Sequence, residues 1–144
     1  TLFRSTPSVA TLDSISANSA VASDLIVGQY TFVYTINEPG CSSSDTMHVT
    51  LYDPASMANA GPDQELCDAT TFYMDADSVT TGTGTWSKAS GPDGGSFTDV
   101  HDSKTTYTNA TPGVYIFEWT AANQSCSNTD QVRITNYYEP TDAD

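Results

Sequence analysis

The sequence predicts an all-β chain of tandem Greek-key β-sandwiches. Three observations carry this prediction: a repeat within the chain, short segments in which apolar and polar residues alternate, and Gly/Pro/Asp turn signals between those segments. No stretch combines helical periodicity with helix-capping residues, so no helix is expected.

The repeat relates residues 28–50 to residues 113–135 without a gap, at a constant offset of 85 residues. Chance identity would give only about one match over such a length, so the repeat is real. Among the matched pairs are Gly28 and Gly113, Tyr30 and Tyr115, Phe32 and Phe117, Cys41 and Cys126, and Asp45 and Asp130.

Strands are predicted where apolar and polar residues alternate. Tyr115, Phe117 and Trp119 fall on one face of their segment, and residues 30–36 repeat that pattern. Short strands separated by turns, in a repeat of about 85 residues, indicate an Ig-like sandwich. Further strands are predicted at residues 47–51, 71–75, 83–88, 104–108 and 131–135.

Two aromatic residues of this sandwich have expected places. Trp86 lies on a predicted central strand and is expected to pack against the aromatic stripe. Tyr115 follows the turn at Pro112-Gly113, where a tyrosine corner is expected.

The repeat also predicts three regions of the chain. Residues 1–57 are expected to form the C-terminal two-thirds of an Ig-like repeat, and residues 58–138 a complete Ig-like repeat. Residues 139–144 are expected to be a linker and the start of the next repeat, because Ala143-Asp144 falls where Ala58-Asn59 opens the complete one.

The three cysteines follow the repeat. Cys67 lies early and Cys126 late in the complete repeat, so the two are predicted to form a disulfide within one sandwich. Cys41 corresponds to Cys126, and its partner is expected upstream of Thr1. Such disulfides indicate an oxidising, extracellular environment.

The charge balance excludes several partners. The formal net charge is −14, with 4 Lys and Arg residues against 18 Asp and Glu residues. A nucleic-acid-binding protein needs a basic surface, and an anionic membrane would repel this chain. No apolar run reaches the roughly 20 residues of a membrane span.

No catalytic site is expected. A nucleophilic site needs a base near a Ser or Cys. His48 falls on the outward phase of its strand and aligns with Arg133, and His101 lies in a polar loop beside Asp99 and Asp102, so neither is expected to act as that base. No cofactor other than calcium is expected, because the cysteines are too few and too far apart for zinc. Calcium prefers clustered oxygen ligands. Its candidate ligands, where repeats would join, are Asp53, Asn59, Asp63 and Asp130.

Residues 58–67, Gly82–Trp86, Pro112–Tyr115, Phe117–Trp119 and Asn123–Cys126 together resemble a known repeat. It is similar to the PKD/Ig-like repeats of giant cell-surface proteins of Bacteroidota, which include SprB-type gliding-motility adhesins. The resemblance implies export by type IX secretion and a role as a surface filament or adhesin. It also implies O-glycosylation where Asp-Ser or Asp-Thr precedes an aliphatic residue, at Ser14, Thr46 and Ser78. The first repeat departs from the pattern at Leu2, which aligns with Trp86.

The function expected from these observations is that of a structural and adhesive repeat module in a long cell-surface filament. Its partners are expected to be neighbouring repeats of the same protein, with surface polysaccharide or other cells as further candidates. One alternative is a glycan- or protein-binding module that uses exposed aromatic residues. Another is a polymerising subunit completed by a neighbour's strand. The aromatic candidates are Tyr73, Tyr107, Tyr137 and Tyr138.

Overall fold

The computed structural model describes residues 2–6, 11–16 and 19–140. These residues form strands and connecting turns without a helix, which confirms the all-β prediction. They also contain no helix long and apolar enough to span a bilayer. The chain divides into two compact units, Thr1–Asp53 (unit 1) and Pro54–Asp144 (unit 2).

Unit 2 is a sandwich of two sheets. The larger sheet has the strand order β6-β12-β11-β8, and the smaller sheet has the order β7-β10-β9. Neighbouring strands are antiparallel except β6, which lies parallel to β12. The strands are β6 (Gln64–Cys67), β7 (Thr71–Tyr73), β8 (Thr83–Ser90), β9 (Ser96–Phe97), β10 (Thr106–Thr108), β11 (Gly113–Asn123) and β12 (Cys126–Tyr137).

The β11–β12 hairpin forms the centre of the larger sheet. Its strands pair continuously from Gly113 opposite Asn136 to Asn123 opposite Cys126. Alternate residues of β11 are buried because successive side chains on a strand point to opposite faces. The aromatic stripe predicted from the sequence is therefore the inner face of this hairpin.

Aromatic rings fill the core of unit 2. The rings of Trp86 and Trp119 lie 5.1 Å apart, so Trp86 packs against the aromatic stripe as predicted. Its strand, β8, is at the edge of the larger sheet, so the prediction of a central strand was wrong. From the opposite sheet, Phe72 and Tyr107 pack against Phe117, with Tyr107 at 4.8 Å. Edge and tilted contacts of this kind add stability beyond the area that the rings bury.

Each unit contains a tyrosine corner. The Tyr115 hydroxyl accepts a hydrogen bond from the Thr111 N–H and donates one to the Thr111 carbonyl. The Tyr30 hydroxyl makes the same two bonds to Ile26. The predicted corner is confirmed, and it recurs at the repeat offset.

Unit 1 repeats the later part of this arrangement. Its sheet has the order β1-β4-β5, and β2 pairs with β3 in a separate hairpin. The β4–β5 register matches that of β11–β12 pair for pair, from Gly28 opposite Leu51 to Glu38 opposite Cys41. Its strands are β1 (Leu2–Thr6), β2 (Thr11–Ser16), β3 (Ser19–Ser23), β4 (Gly28–Glu38) and β5 (Cys41–Leu51).

The register corrects the alignment of the first strand. Trp86 pairs with Trp119 in unit 2, and in unit 1 Phe3 pairs with Tyr34, the counterpart of Trp119. Phe3 therefore takes the backbone position that the sequence comparison gave to Leu2. The side chains of residues 2–6 lie outside the described part of the chain.

Replacing Tyr115 by Phe is expected to lower the unfolding free energy of unit 2 by about 1–2 kcal/mol, because the Thr111 N–H and carbonyl lose their partner. Both tryptophans lie in unit 2, so tryptophan fluorescence during urea unfolding follows that unit alone. The control is Tyr30→Phe, which removes the same bonds from unit 1. An equal effect of both variants on the fluorescence transition would contradict this account.

Candidate functional site

The opening segment of unit 2, residues 56–69, lies along β12 for most of that strand. Four contacts hold it at a constant separation of 70 residues, so the segment runs parallel to β12. Side-chain hydrogen bonds fix its first half, and the β6–β12 ladder fixes its second half. The residues in register are Ala58 with Asn128, Ala60 with Asp130, Asp63 with Arg133 and Gln64 with Ile134.

Polar side chains of β12 bond to the backbone of this segment. Asn128 accepts from the Ala58 N–H and donates to the Ser56 carbonyl, and Asp130 accepts from the Ala60 N–H at 2.8 Å. Farther along, the buried Asn136 side chain bonds both the N–H and the carbonyl of Ala69. These bonds satisfy backbone groups at positions where no strand pairs with them.

The predicted calcium ligands take part in this network instead of forming a cluster. Asp63 accepts from the Arg133 N–H, and Asn59 bonds Asp77 and the Gly61 N–H. Asp53 belongs to unit 1. Among the described residues, no three His, Cys, Asp or Glu side chains come together as ligands for a metal ion. A calcium role for Asp53, Asn59, Asp63 and Asp130 stays a prediction.

An apolar groove of about 620 Å³ lies in unit 1, between its sheet and the β2–β3 hairpin. Phe32, Met47 and Val49 line the groove, and Leu12 and Leu25 contribute from the other side. Asp45 adds a carboxylate to this lining. The groove is thus an apolar surface with one acidic group at its margin.

Unit 2 shows what covers the same surface in a complete repeat. Val132, the counterpart of Met47, is 1% exposed, whereas Met47 is 58% exposed. Phe72 and Met74 follow the opening segment and belong to the core cluster that includes Val132. Among the described strands of unit 1, none corresponds to β6 or β7 at the repeat offset.

The predicted disulfide between Cys67 and Cys126 does not form. Cys126 opens β12, whereas Cys67 pairs with Tyr137 at the far end of the same strand, and both are free thiols. Eleven steps along a strand separate the two places by about 36 Å. A disulfide requires Cα atoms within about 7 Å. The sequence prediction was wrong because it placed both cysteines in one repeat without the direction of β6 relative to β12.

The four tyrosines proposed for ligand binding do not share a surface environment. Tyr73, Tyr137 and Tyr138 are exposed, but Tyr107 is 2% exposed and donates a hydrogen bond to the Gly94 carbonyl. Tyr107 therefore belongs to the core, and that part of the prediction was wrong.

The predicted glycosylation sites lie in different settings. Thr46 is exposed on β5, and Ser78 is exposed and lies 3.2 Å from the Ser103 hydroxyl. The side chain of Ser14 lies outside the described residues. Modification at all three stays a prediction.

The two histidines make structural contacts. The His48 Nδ1 atom lies 3.0 Å from the Thr31 hydroxyl, across the β4–β5 pair. The His101 Nδ1 atom lies 2.9 Å from the Gly84 carbonyl, which joins the loop of His101 to β8.

Sequence reasoning missed Asn128 and Asn136. A polar residue on the inward phase of an otherwise alternating strand was the available signal for Asn136, which is 2% exposed. For Asn128 the repeat gives no signal, because its counterpart is Ser43.

Comparison with known proteins identifies the fold. The PKD domain from KIAA 1837 protein superimposes with a TM-score of 0.54 over 65% of this chain and 98% of that chain, at 24% sequence identity. The PKD domain from human KIAA0319 gives a TM-score of 0.51 over 61% and 86%, at 15% identity. No family profile and no curated protein matches the chain. The chain therefore has a PKD/Ig-like β-sandwich fold.

Replacing Asp130 by Ala is expected to destabilise unit 2 by about 1–3 kcal/mol, because the Ala60 N–H would be left without a partner at a buried position. Asp45→Ala is the matched control, since Asp45 is the exposed counterpart in unit 1 and bonds only the adjacent Thr46 N–H among its described contacts. Urea unfolding followed by tryptophan fluorescence measures both variants. An Asp130→Ala transition equal to that of the control would refute a structural role for this carboxylate.

Proposed function

We propose that the chain is a structural and adhesive repeat module of a long extracellular filament. The observation that carries this proposal is the recurrence of one hairpin register and one tyrosine corner in both units. Repeats of a complete structural unit are typical of arrays whose function depends on length and presentation.

The path of the chain through unit 2 supports an elongated array. The opening segment begins beside Asn128, near the turn of the β11–β12 hairpin, and the last strand ends at Tyr137. We call the first of these the leading end and the second the trailing end. Because they lie at opposite ends of β12, each repeat added at the trailing end would extend the filament.

The charge of the chain fits an extracellular surface. With a net charge of −14, neighbouring filaments repel one another and stay dispersed. The resemblance to Bacteroidota surface repeats supports a finer assignment, to a SprB-type gliding-motility adhesin exported by type IX secretion. Adhesion would involve surface polysaccharide or other cells. We propose no catalytic residue.

A filament of this kind is expected to lengthen in proportion to its repeats. Extending the chain with copies of residues 60–144, which follow Asp144 in the register of the repeat, should add about 40 Å to the maximum dimension for each repeat. Small-angle X-ray scattering measures this dimension. Growth with the cube root of the repeat number would indicate a collapsed assembly and would overturn the proposed function.

The groove in unit 1 favours a second candidate function, completion of a unit by a neighbour's strand. Its occupant would be a longer segment of another repeat, with the sequence of residues 54–82, which contains the opening segment and the β7 strand that follows it. In unit 2 that segment supplies Ala60, Phe72 and Met74 to the core, and its Ala60 N–H bonds Asp130. In unit 1, Met47 and Asp45 offer the same apolar and acidic groups.

A synthetic peptide of residues 54–82 is expected to bind the chain at unit 1, with shifts of the Met47 methyl resonance in NMR spectra. A Phe72→Asp peptide should bind at least about tenfold more weakly, because a charge would enter the aromatic core. Met47→Asp in the chain places the corresponding charge in the groove of unit 1 and should weaken binding of the unmodified peptide in the same way. Equal binding of the two peptides would exclude completion by this segment.

A further inference from the structure

The outer side of the smaller sheet of unit 2 carries a row of hydroxyl groups. Side chains alternate between the core and the outer surface along β7, β9 and β10. Phe72 and Tyr107 lie in the core, so their neighbours in the sequence point away from it. We call this outer surface the hydroxyl face. Its hydroxyl groups belong to Thr71, Ser96, Thr98, Thr106 and Thr108.

Tyr73 adds an aromatic ring to the hydroxyl face. This residue is 71% exposed and lies on β7, directly opposite Thr106 of β10. The Gln64 side-chain amide donates a hydrogen bond to the Tyr73 carbonyl, and the N–H of the next residue, Met74, bonds the Thr105 carbonyl. The backbone is therefore bonded on both sides of the ring, so the sheet holds the aromatic group in place.

The hydroxyl groups beside this ring are ordered by their own contacts. The Thr98 and Thr106 hydroxyl oxygens lie 2.7 Å apart, and the Thr108 hydroxyl donates to the Ser96 carbonyl. Threonine is branched at Cβ, which restricts its side-chain rotamers. Groups that are already ordered lose little conformational entropy when a ligand binds. The face is thus prepared for a ligand that makes several hydrogen bonds.

The charge on the hydroxyl face indicates the kind of ligand. Asp75 and Lys104 continue the alternation of β7 and β10, and their side chains form an ion pair. These two charges cancel, whereas the whole chain has a net charge of −14. The chain as a whole repels an anionic polymer. A cationic polymer would find no net negative charge on this face. An uncharged ligand is therefore the one that the face favours.

We propose that the hydroxyl face binds an extended, uncharged polysaccharide chain. The apolar side of one sugar ring stacks on Tyr73, whose ring is flat and apolar with a polar hydroxyl at its edge. Sugar hydroxyls bond the Thr98 and Thr106 hydroxyls, which can each donate and accept. The inference deepens the proposed adhesive function, on which it rests, by naming the ligand class and the surface that binds it.

The shape of the face favours an extended chain over a single terminal sugar. The outward residues from Thr71 to Asp75 span about 13 Å along the strand direction. The face is the open surface of three paired strands, so it lies along a ligand rather than enclosing one.

Unit 1 provides a natural control for the hydroxyl face. Its β2–β3 hairpin has the register of the β9–β10 pair at the repeat offset. There the counterpart of Thr106 is Val21, and the counterpart of Thr98 is Asp13. Among the described strands of unit 1, none corresponds to β7, which carries Tyr73 in unit 2. The proposed binding therefore belongs to unit 2.

Affinity electrophoresis of the full chain, through gels that contain one soluble polysaccharide each, tests the proposal. The uncharged probes are hydroxyethylcellulose, galactomannan, arabinoxylan and pullulan, and alginate is the anionic probe. We expect at least one uncharged probe to retard the chain and alginate to have no effect. Tyr73→Ala should weaken binding at least about tenfold, because the stacking surface is lost.

Thr106→Val gives the face the residue of unit 1 and should also weaken binding, because a hydroxyl is replaced by a methyl of similar size. The matched control is Tyr137→Ala, which removes an exposed tyrosine from another part of unit 2 and should leave binding unchanged. Urea unfolding followed by tryptophan fluorescence checks that each variant is folded.

Three results would overturn the proposal: no retardation by any uncharged probe, retardation by alginate alone, or an equal loss of binding in Tyr73→Ala and Tyr137→Ala. Small-angle scattering of chains with added repeats separates this inference from the proposed function. If those chains lengthen as an array and no uncharged probe binds, the ligand is refuted and the filament stands. If they collapse while the Tyr73-dependent binding persists, the filament is refuted and the binding face stands.

Discussion

The alternation of the β11–β12 hairpin is the constraint on which the rest of unit 2 depends. The pairing is continuous over both strands, so the register fixes which side chains face inward along the whole length. A slip of one residue would turn Phe117 and Trp119 to solvent and expose the polar residues between them to the core. The tyrosine corner at Tyr115 adds a second restraint, because its hydroxyl ties the start of β11 to the preceding loop. The same two features recur in unit 1 at the repeat offset.

The polar side chains of β12 bond backbone groups of the segment that covers the core. Val132 and Ile134 need an apolar cover, yet the segment that covers them carries backbone groups that must also be bonded. Asn128 and Asp130 bond that backbone where β6 has not yet begun, and the ladder takes over from Gln64. In unit 1 the counterpart of Val132 is largely exposed, which shows how much of the burial depends on the opening segment.

The sequence was sufficient for features that depend on local pattern. The β4–β5 and β11–β12 hairpins, the tyrosine corner and the packing of Trp86 against the aromatic stripe follow from alternation and turn residues, and all are found. In unit 2, the strands β6 and β9 were missed because neither shows an alternation of polar and apolar residues: β6 begins with two polar residues, and β9 has only two residues. Tyr107 was predicted to be exposed, but it is buried. Its strand, β10, has only three residues, so the sequence pattern does not show which of its side chains face the core.

The disulfide was mispredicted for a different reason, since it depended on a long-range direction. The first and last strands of a sandwich can lie side by side. Two residues on such neighbouring strands can nevertheless lie at the same end of the sheet or at opposite ends, depending on the strand directions. Here β6 is parallel to β12, so Cys67 lies beside the last residue of β12 and Cys126 is its first. No pattern within either segment carries that direction. Of the candidate site, the sequence identified Asp63 and Asp130 as notable, but their partners are backbone groups seventy residues away.

The parallel pairing of β6 and β12 also has a mechanical consequence for a filament. Tension on an array would pull the leading end of the opening segment and the trailing end of β12 in opposite directions. Two parallel neighbours pulled in this way slide past each other, so the bonds of Asn128, Asp130 and the β6–β12 ladder resist together instead of breaking one by one.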